Sequence, residues 1–261
     1  MPRLAAAVAL VLCWSATAAR AHDTWLLPLG ADVALSQETL LDLSSGMEFP
    51  RLDTAIAPER VASAECRIAG ARLPLARSGV PGALRLRTRP TTPGLATCGV
   101  GLLPRRLELK PAEVEEYLAE IGAPEEIRRI WKGGSGRWVE QYTKHAKSFV
   151  RVGGKSDGSW AEPLGLGLEL VPESDPTALT AGSRLAVRAL SAGQPAAGLA
   201  LGVVRAGETK AELVATGADG RATVELARPG RYLVRATLLR PASEPGLDWV
   251  SDFTTLTLFV R

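Results

Sequence analysis

His22 is the residue of this chain whose position alone suggests chemistry. Residues 1–21 have the form of a cleavable signal peptide that ends in the cleavage sequence Ala19-Arg20-Ala21. Cleavage there makes His22 the first residue of the mature protein. A terminal histidine offers a metal two nitrogens, the free α-amine and the ring Nδ1, whose pKa values are near ~8 and ~6.5. Nitrogen sites bind nickel and copper more tightly than manganese, iron or cobalt, so we expect Ni²⁺ or Cu²⁺ at His22.

Four further residues are candidate ligands. His145 is the only other histidine of the chain, and its ring would complete a three-nitrogen site if it lay beside the new terminus. Asp23 and Glu48 can add a carboxylate, and Met47 a soft thioether. The alternative for each of these residues is an ordinary solvated surface residue that binds no metal. The aromatic residues Trp25, Trp138 and Tyr142 are expected to lie in the core rather than in a pocket.

The signal peptide also predicts the compartment. Its apolar run of about ten residues is too short to span a bilayer, which takes ~20. We therefore expect a soluble periplasmic protein without an integral membrane segment after cleavage. Cys13 can also be interpreted as a lipid-attachment cysteine, but Leu12 stands before it where such sites have a small residue. Cys66 and Cys98 then remain, and an exported protein favours a disulfide between them over two thiolates on a metal.

Composition and motifs exclude several function classes. The formal net charge of +3 includes two arginines of the leader, and no basic run interleaved with aromatic residues is present, so nucleic acid is not an expected partner. The chain has no nucleotide-binding glycine fingerprint, no Gly-x-Ser-x-Gly turn and no His-Glu-x-x-His helix. These absences argue against a hydrolase, and we expect a protein that is not an enzyme.

The hydrophobic pattern predicts an all-β protein with a short helical insertion. Short alternating apolar segments broken by Gly and Pro run from residue 33 to about 109, and again from 163 to the end. Between them, residues 111–150 have helical periodicity, with helices starting at Pro111, at Pro124 and near Arg137, the last carrying His145. We predict two immunoglobulin-like or prealbumin-like sandwiches, residues 22–160 and 161–261, joined by a glycine-rich link at 153–159.

Four segments resemble a secreted bacterial family of unknown function. The opening Ala21-His22-Asp23-Thr24-Trp25-Leu26-Leu27-Pro28 resembles the family's start, residues 46–50 resemble its Gly-x-x-Phe-Pro turn, and residues 140–147 and 249–257 resemble its helix and closing strand. The family includes periplasmic accessory proteins of nickel and cobalt uptake. The resemblance therefore implies a two-domain periplasmic protein that binds a transition metal, nickel first and copper or cobalt as alternatives, and passes it to an inner- or outer-membrane transporter. Only His22 matches the motif itself, since Met47 and Glu48 occupy the turn where a further histidine is often found.

Two other functions stay open at this point. The first is a copper histidine brace that activates oxygen, with Tyr142 as the axial group one helical turn before His145. The second is a pair of structural or carbohydrate-facing sandwiches without a metal, in which His22 is merely where cleavage falls.

Overall fold

The computed structural model describes residues 22–261, and the expected signal peptide lies outside this range. The strands of the first half are β1 (Asp23–Pro28), β2 (Asp32–Val33), β3 (Thr39–Gly46), β4 (Thr54–Ala55), β5 (Val61–Ile68), β6 (Ala71–Leu73), β7 (Ala76–Val80), β8 (Ala83–Thr88), β9 (Gly94–Leu102) and β10 (Arg105–Leu109). Two helices follow, α1 (Pro111–Glu120) and α2 (Glu125–Gly133). The remaining strands are β11 (Trp138–Val152), β12 (Leu168–Pro172), β13 (Ser183–Ser191), β14 (Gln194–Pro195), β15 (Ala200–Arg205), β16 (Glu212–Ala215), β17 (Arg221–Leu226), β18 (Gly230–Pro241) and β19 (Trp249–Val260). Within residues 22–261, no helix has the length and apolar character needed to cross a membrane.

The strands form three sheets stacked in layers. Sheet A contains β1, β3, β4, β7 and β8, and sheet C contains β12, β13, β14 and β17. Sheet B lies between them and has ten strands, with the order β16-β15-β18-β19-β11-β9-β5-β6 and with β2 and β10 pairing with β11. One apolar core fills the space between sheets A and B, and another fills the space between sheets B and C. The fold is an all-β, immunoglobulin-like pair of sandwiches with a short helical insertion, as the pattern predicts, and the two sandwiches share sheet B.

The third predicted helix is wrong, because residues from Trp138 onward form the long strand β11. β11 pairs in parallel with β19 and antiparallel with β9 and β10, and its two faces pack against different cores. A strand buried on both faces lacks the alternation of apolar and polar residues that marks a half-buried strand. The aromatic residues of β11 happen to recur at a spacing that also fits one face of a helix. The segment is rich in β-branched and aromatic residues, which favour a strand.

The two shorter helices are confirmed. α1 begins with Pro111 in its first turn, where the missing N–H is not needed, and the Glu113 carboxylate accepts a hydrogen bond of 2.8 Å from the Lys110 N–H. Together with α2 it buries Val114, Leu118 and Trp131 against the end of sheet B. The helical insertion therefore ends at α2 rather than at residue 150.

The disulfide between Cys66 and Cys98 is confirmed. The two cysteines are register partners on the neighbouring strands β5 and β9, so the disulfide cross-links two strands of sheet B. Both cysteines lie in the apolar core between sheets A and B. Two free thiolates for a metal are therefore absent here.

Candidate functional site

His22 lies at the start of sheet A and is exposed. β1 follows it directly and pairs with β3, with Asp23 opposite Gly46 and Thr24 opposite Ser45. Because successive side chains of a strand point to opposite faces, His22 and Thr24 share one face and Asp23 lies on the other. Among the hydrogen bonds and ion pairs found for residues 22–261, none engages the His22 imidazole.

A cavity of about 230 Å³ opens beside His22. Its wall combines three cationic side chains, four side chains with a hydroxyl group, the His22 ring and a few apolar groups, and it contains no carboxylate. The polar lining residues are His22, Thr24, Ser45, Thr54, Arg60, Arg105, Tyr142 and Lys144. The walls come from β1, β3, β4, β10 and β11, so the site forms where sheet A meets the end of sheet B.

Lys144 connects the cavity to His22. Its ammonium donates a hydrogen bond to the backbone carbonyl of His22, which holds the residue just before β1 against β11. The same ammonium lies 5.5 Å from the ring centroids of both Tyr142 and Phe253. Burial lowers the pKa of Lys144 to about 8, with Arg60 acting in the same direction and Asp23 and Glu140 acting against it.

Asp23 faces away from this cavity. Its carboxylate accepts a hydrogen bond of 2.6 Å from the guanidinium of Arg235, which lies 3.0 Å from Glu120 as well. Both carboxylates flank one half-buried guanidinium, so Asp23 is engaged in an ion-pair network that ties β1 to β18 and α1. Binding a metal with Asp23 would require breaking that network.

The turn after β3 is solvent-exposed. Glu48 lies 3.4 Å from Arg51 in an exposed ion pair, and 42% of Met47 is accessible. Neither lines the cavity beside His22. The turn is close to the amino terminus along the sheet, since Gly46 is the register partner of Asp23, but these two side chains do not converge with the imidazole.

His145 is buried on the opposite face of β11 from Lys144. Strand alternation puts Tyr142 and Lys144 toward sheet A, whereas His145 faces sheet C. Its Nε2 lies 3.5 Å from Asp252 Oδ1, and a Cβ added to Gly167 would approach Nε2 to 3.0 Å, so little space remains around the ring. The expected helix that would have placed His145 beside the terminus is absent.

The predicted five-residue ligand set is therefore not gathered in one place. Among residues 22–261, no group of three or more His, Cys, Asp and Glu side chains is arranged to hold a metal ion. Of the five predicted ligands, only His22 offers an exposed imidazole that no hydrogen bond or ion pair within residues 22–261 engages. A copper brace needs a second imidazole on the same face, and His145 lies behind β11.

The polar wall of the cavity was not predicted. Reading residues 138–152 as a strand would have put Tyr142 and Lys144 on one face, two residues apart. The sequence does not predict that Arg60 and Arg105 lie beside Tyr142 and Lys144, because the position of both arginines depends on tertiary packing. Trp25 and Trp138 are core residues as expected, whereas Tyr142 is half-buried and lines the cavity.

Comparison with known proteins gives a family and weak structural likenesses. Residues 19–240 match the family described as Domain of unknown function (DUF4198). No curated protein matches the chain. Among solved structures, the chain is similar to the D0-D1 domain of Intimin, with 11% identity and a TM-score of 0.25 over 92% of this chain and 100% of that chain. It is also similar to a D1-D4 ectodomain fragment of ICAM-5, with 16% identity and a TM-score of 0.25 over 92% of this chain and 51% of that chain. These likenesses carry no argument about function.

Proposed function

The chain belongs to the family of domain of unknown function DUF4198, and we propose that it is an exported accessory protein that binds one nickel(II) or copper(II) ion through His22. The observation that carries this proposal is the exposed His22 imidazole, which no hydrogen bond or ion pair within residues 22–261 engages. A role in metal uptake, with a membrane transporter as the partner, is proposed from the resemblance of the opening segment and three others to nickel and cobalt accessory proteins.

The chelate depends on the residue before His22. Cleavage after Ala21 frees an α-amine on the same residue as the imidazole, and the two nitrogens close a compact ring on one cation. The hydrogen bond from Lys144 to the His22 carbonyl supports this arrangement, because it holds the first residue in place without using either nitrogen.

The proposal is tested by blocking the amine while the imidazole stays in place. The mature protein, with its amino terminus verified by intact mass, is compared with a semisynthetic form whose His22 α-amine is acetylated. Nickel(II) and copper(II) affinities are measured by calorimetry in competition with a weak chelator. We expect acetylation to weaken binding by about 100-fold or more, which corresponds to about 3 kcal/mol or more.

The two histidines provide a matched control. His145→Gln removes the buried imidazole and leaves His22 in place, so metal affinity should stay unchanged, whereas His22→Ala should abolish binding. Equal affinities for the free and acetylated termini would refute the terminal chelate. A mature protein that begins at any residue other than His22 would refute it as well.

A further inference from the structure

We infer that the cavity beside His22 binds a small anion that carries two or more negative charges on carboxylate or phosphate groups. The inference goes beyond the proposed metal function and does not depend on it. It rests on three cationic side chains that line one cavity with no carboxylate in its wall, on neutral donors beside them, and on the size of the cavity.

The cavity wall carries three cationic side chains and no carboxylate. Arg60, Arg105 and Lys144 all line it, and none takes part in the ion pairs found among residues 22–261. The Arg60 guanidinium has only a long contact of 3.4 Å to the carbonyl of Pro104. Burial and repulsion from Arg105 both lower the pKa of Arg60, so the two guanidinium groups lie close enough to oppose each other.

Two half-buried arginines elsewhere in the protein have carboxylate partners. Arg235 lies between two carboxylates, and Arg85 donates two hydrogen bonds of 2.7 and 2.8 Å to the buried carboxylate of Asp42. Burying cations without a partner costs free energy, and a protein ordinarily offsets it with a carboxylate. At the cavity an anion from solution would supply that missing charge, with guanidinium groups suited to bidentate binding of carboxylate or phosphate.

Neutral groups complete the binding surface. The hydroxyls of Thr24 and Ser45 lie 2.6 Å apart across the β1–β3 pair, and Tyr142 adds a phenol on the β11 side. Ile56 and Leu102 give the wall an apolar part, against which a short carbon chain can pack. A cavity of about 230 Å³ suits a small organic acid or a small phosphate compound rather than a polymer.

The experiment uses the full mature protein freed of metal with a chelating resin. Citrate and inorganic phosphate are titrated separately by calorimetry at ionic strength near ~0.15 M, where weak nonspecific attraction is largely screened. Arg105→Gln is the test variant, because Arg105 is exposed on β10 and its loss does not disturb the core. Arg77→Gln is the matched control, since Arg77 is an exposed arginine of β7 that lies outside the cavity.

We expect at least one probe to bind with a dissociation constant at or below about 1 mM. Arg105→Gln should weaken that binding about tenfold, as expected for one charge-assisted contact, and Arg77→Gln should leave it unchanged. Binding of citrate alone assigns the site to carboxylates, and binding of phosphate alone assigns it to phosphate groups. Because these titrations use metal-free protein, anion binding is measured independently of the metal site, and a failed metal site and a failed anion site give different results. Absence of binding by both probes, or equal weakening by the two arginine variants, would overturn the inference.

Discussion

A fully buried ion pair of the protein gives its sharpest prediction. Lys147 on β11 and Glu169 on β12 are each about 1% exposed, and the ammonium donates a hydrogen bond of 2.6 Å to the carboxylate. The carboxylate also accepts hydrogen bonds from three successive backbone N–H groups, those of residues 164–166, at 2.8, 2.9 and 3.2 Å. Glu169 therefore accepts hydrogen bonds from four donors, whereas the Lys147 ammonium has one acceptor. Lys147 consequently depends on Glu169 for its stabilisation more than Glu169 depends on Lys147.

This difference in hydrogen-bond partners sets the loss of stability that we expect from each single substitution. At 2.6 Å and an effective dielectric constant of about 20, the attraction is roughly 6 kcal/mol, which desolvation of the two ions largely offsets. Glu169→Gln leaves the Lys147 ammonium buried without a counter-charge, so we expect a loss of about 3–5 kcal/mol in the free energy of unfolding. Lys147→Met leaves a carboxylate that three backbone N–H groups still stabilise, and we expect a loss of about 1–3 kcal/mol.

The assay is urea denaturation at pH 7 of the native protein, the two single variants and the double variant. The double variant should lose less than the sum of the singles by roughly 2 kcal/mol, because each single change strands one charge. Burial lowers the pKa of Lys147 and Glu169 opposes this, so the Glu169→Gln protein should recover stability as pH rises and the stranded lysine becomes neutral in the folded state. A Lys147→Met loss as large as that of Glu169→Gln, or additive losses, would refute this reasoning.

Two further predictions concern stability. Replacing Cys66 and Cys98 together by serine should lower the free energy of unfolding by about 3–4 kcal/mol on the chain-entropy scale, because the bridge spans 32 positions of sequence; an unchanged urea midpoint would contradict this. Asp175 accepts hydrogen bonds of 2.8 and 2.7 Å from the backbone N–H and hydroxyl of Thr177, and although burial acts to raise the pKa of Asp175, these bonds and others lower it overall. Its contribution should be fully present above the unfolded pKa of about 3.9 and be lost as pH falls through the lower folded value, so Asp175→Asn should reduce stability by about 1 kcal/mol at pH 7 and by progressively less below pH ~4, in thermal melts across that range.

The local pattern of apolar and polar residues was sufficient to predict much of the fold. Alternation of apolar residues identified the strands that are half-buried, such as β8 and β13, and proline and acidic residues at the first turns identified α1 and α2. The same rules failed on β11 because it lies in the centre of sheet B. There the side chains on both faces of the strand pack against protein, so apolar and polar residues do not alternate and the sequence pattern does not distinguish a strand from a helix.

That one error accounts for the misplaced metal ligands. A helix would have turned His145 toward the same side as Tyr142, whereas a strand puts Lys144 on that side and His145 behind it. The site consequently changes in chemistry, because the neighbour of His22 is a cation rather than a second imidazole. Arg60 and Arg105 add two further cations. Arg105 reaches the cavity because β10 pairs with β11, with Arg105 opposite Tyr142. A metal held at His22 would thus lie beside a positive surface, and an anion in the cavity would offset the repulsion between them.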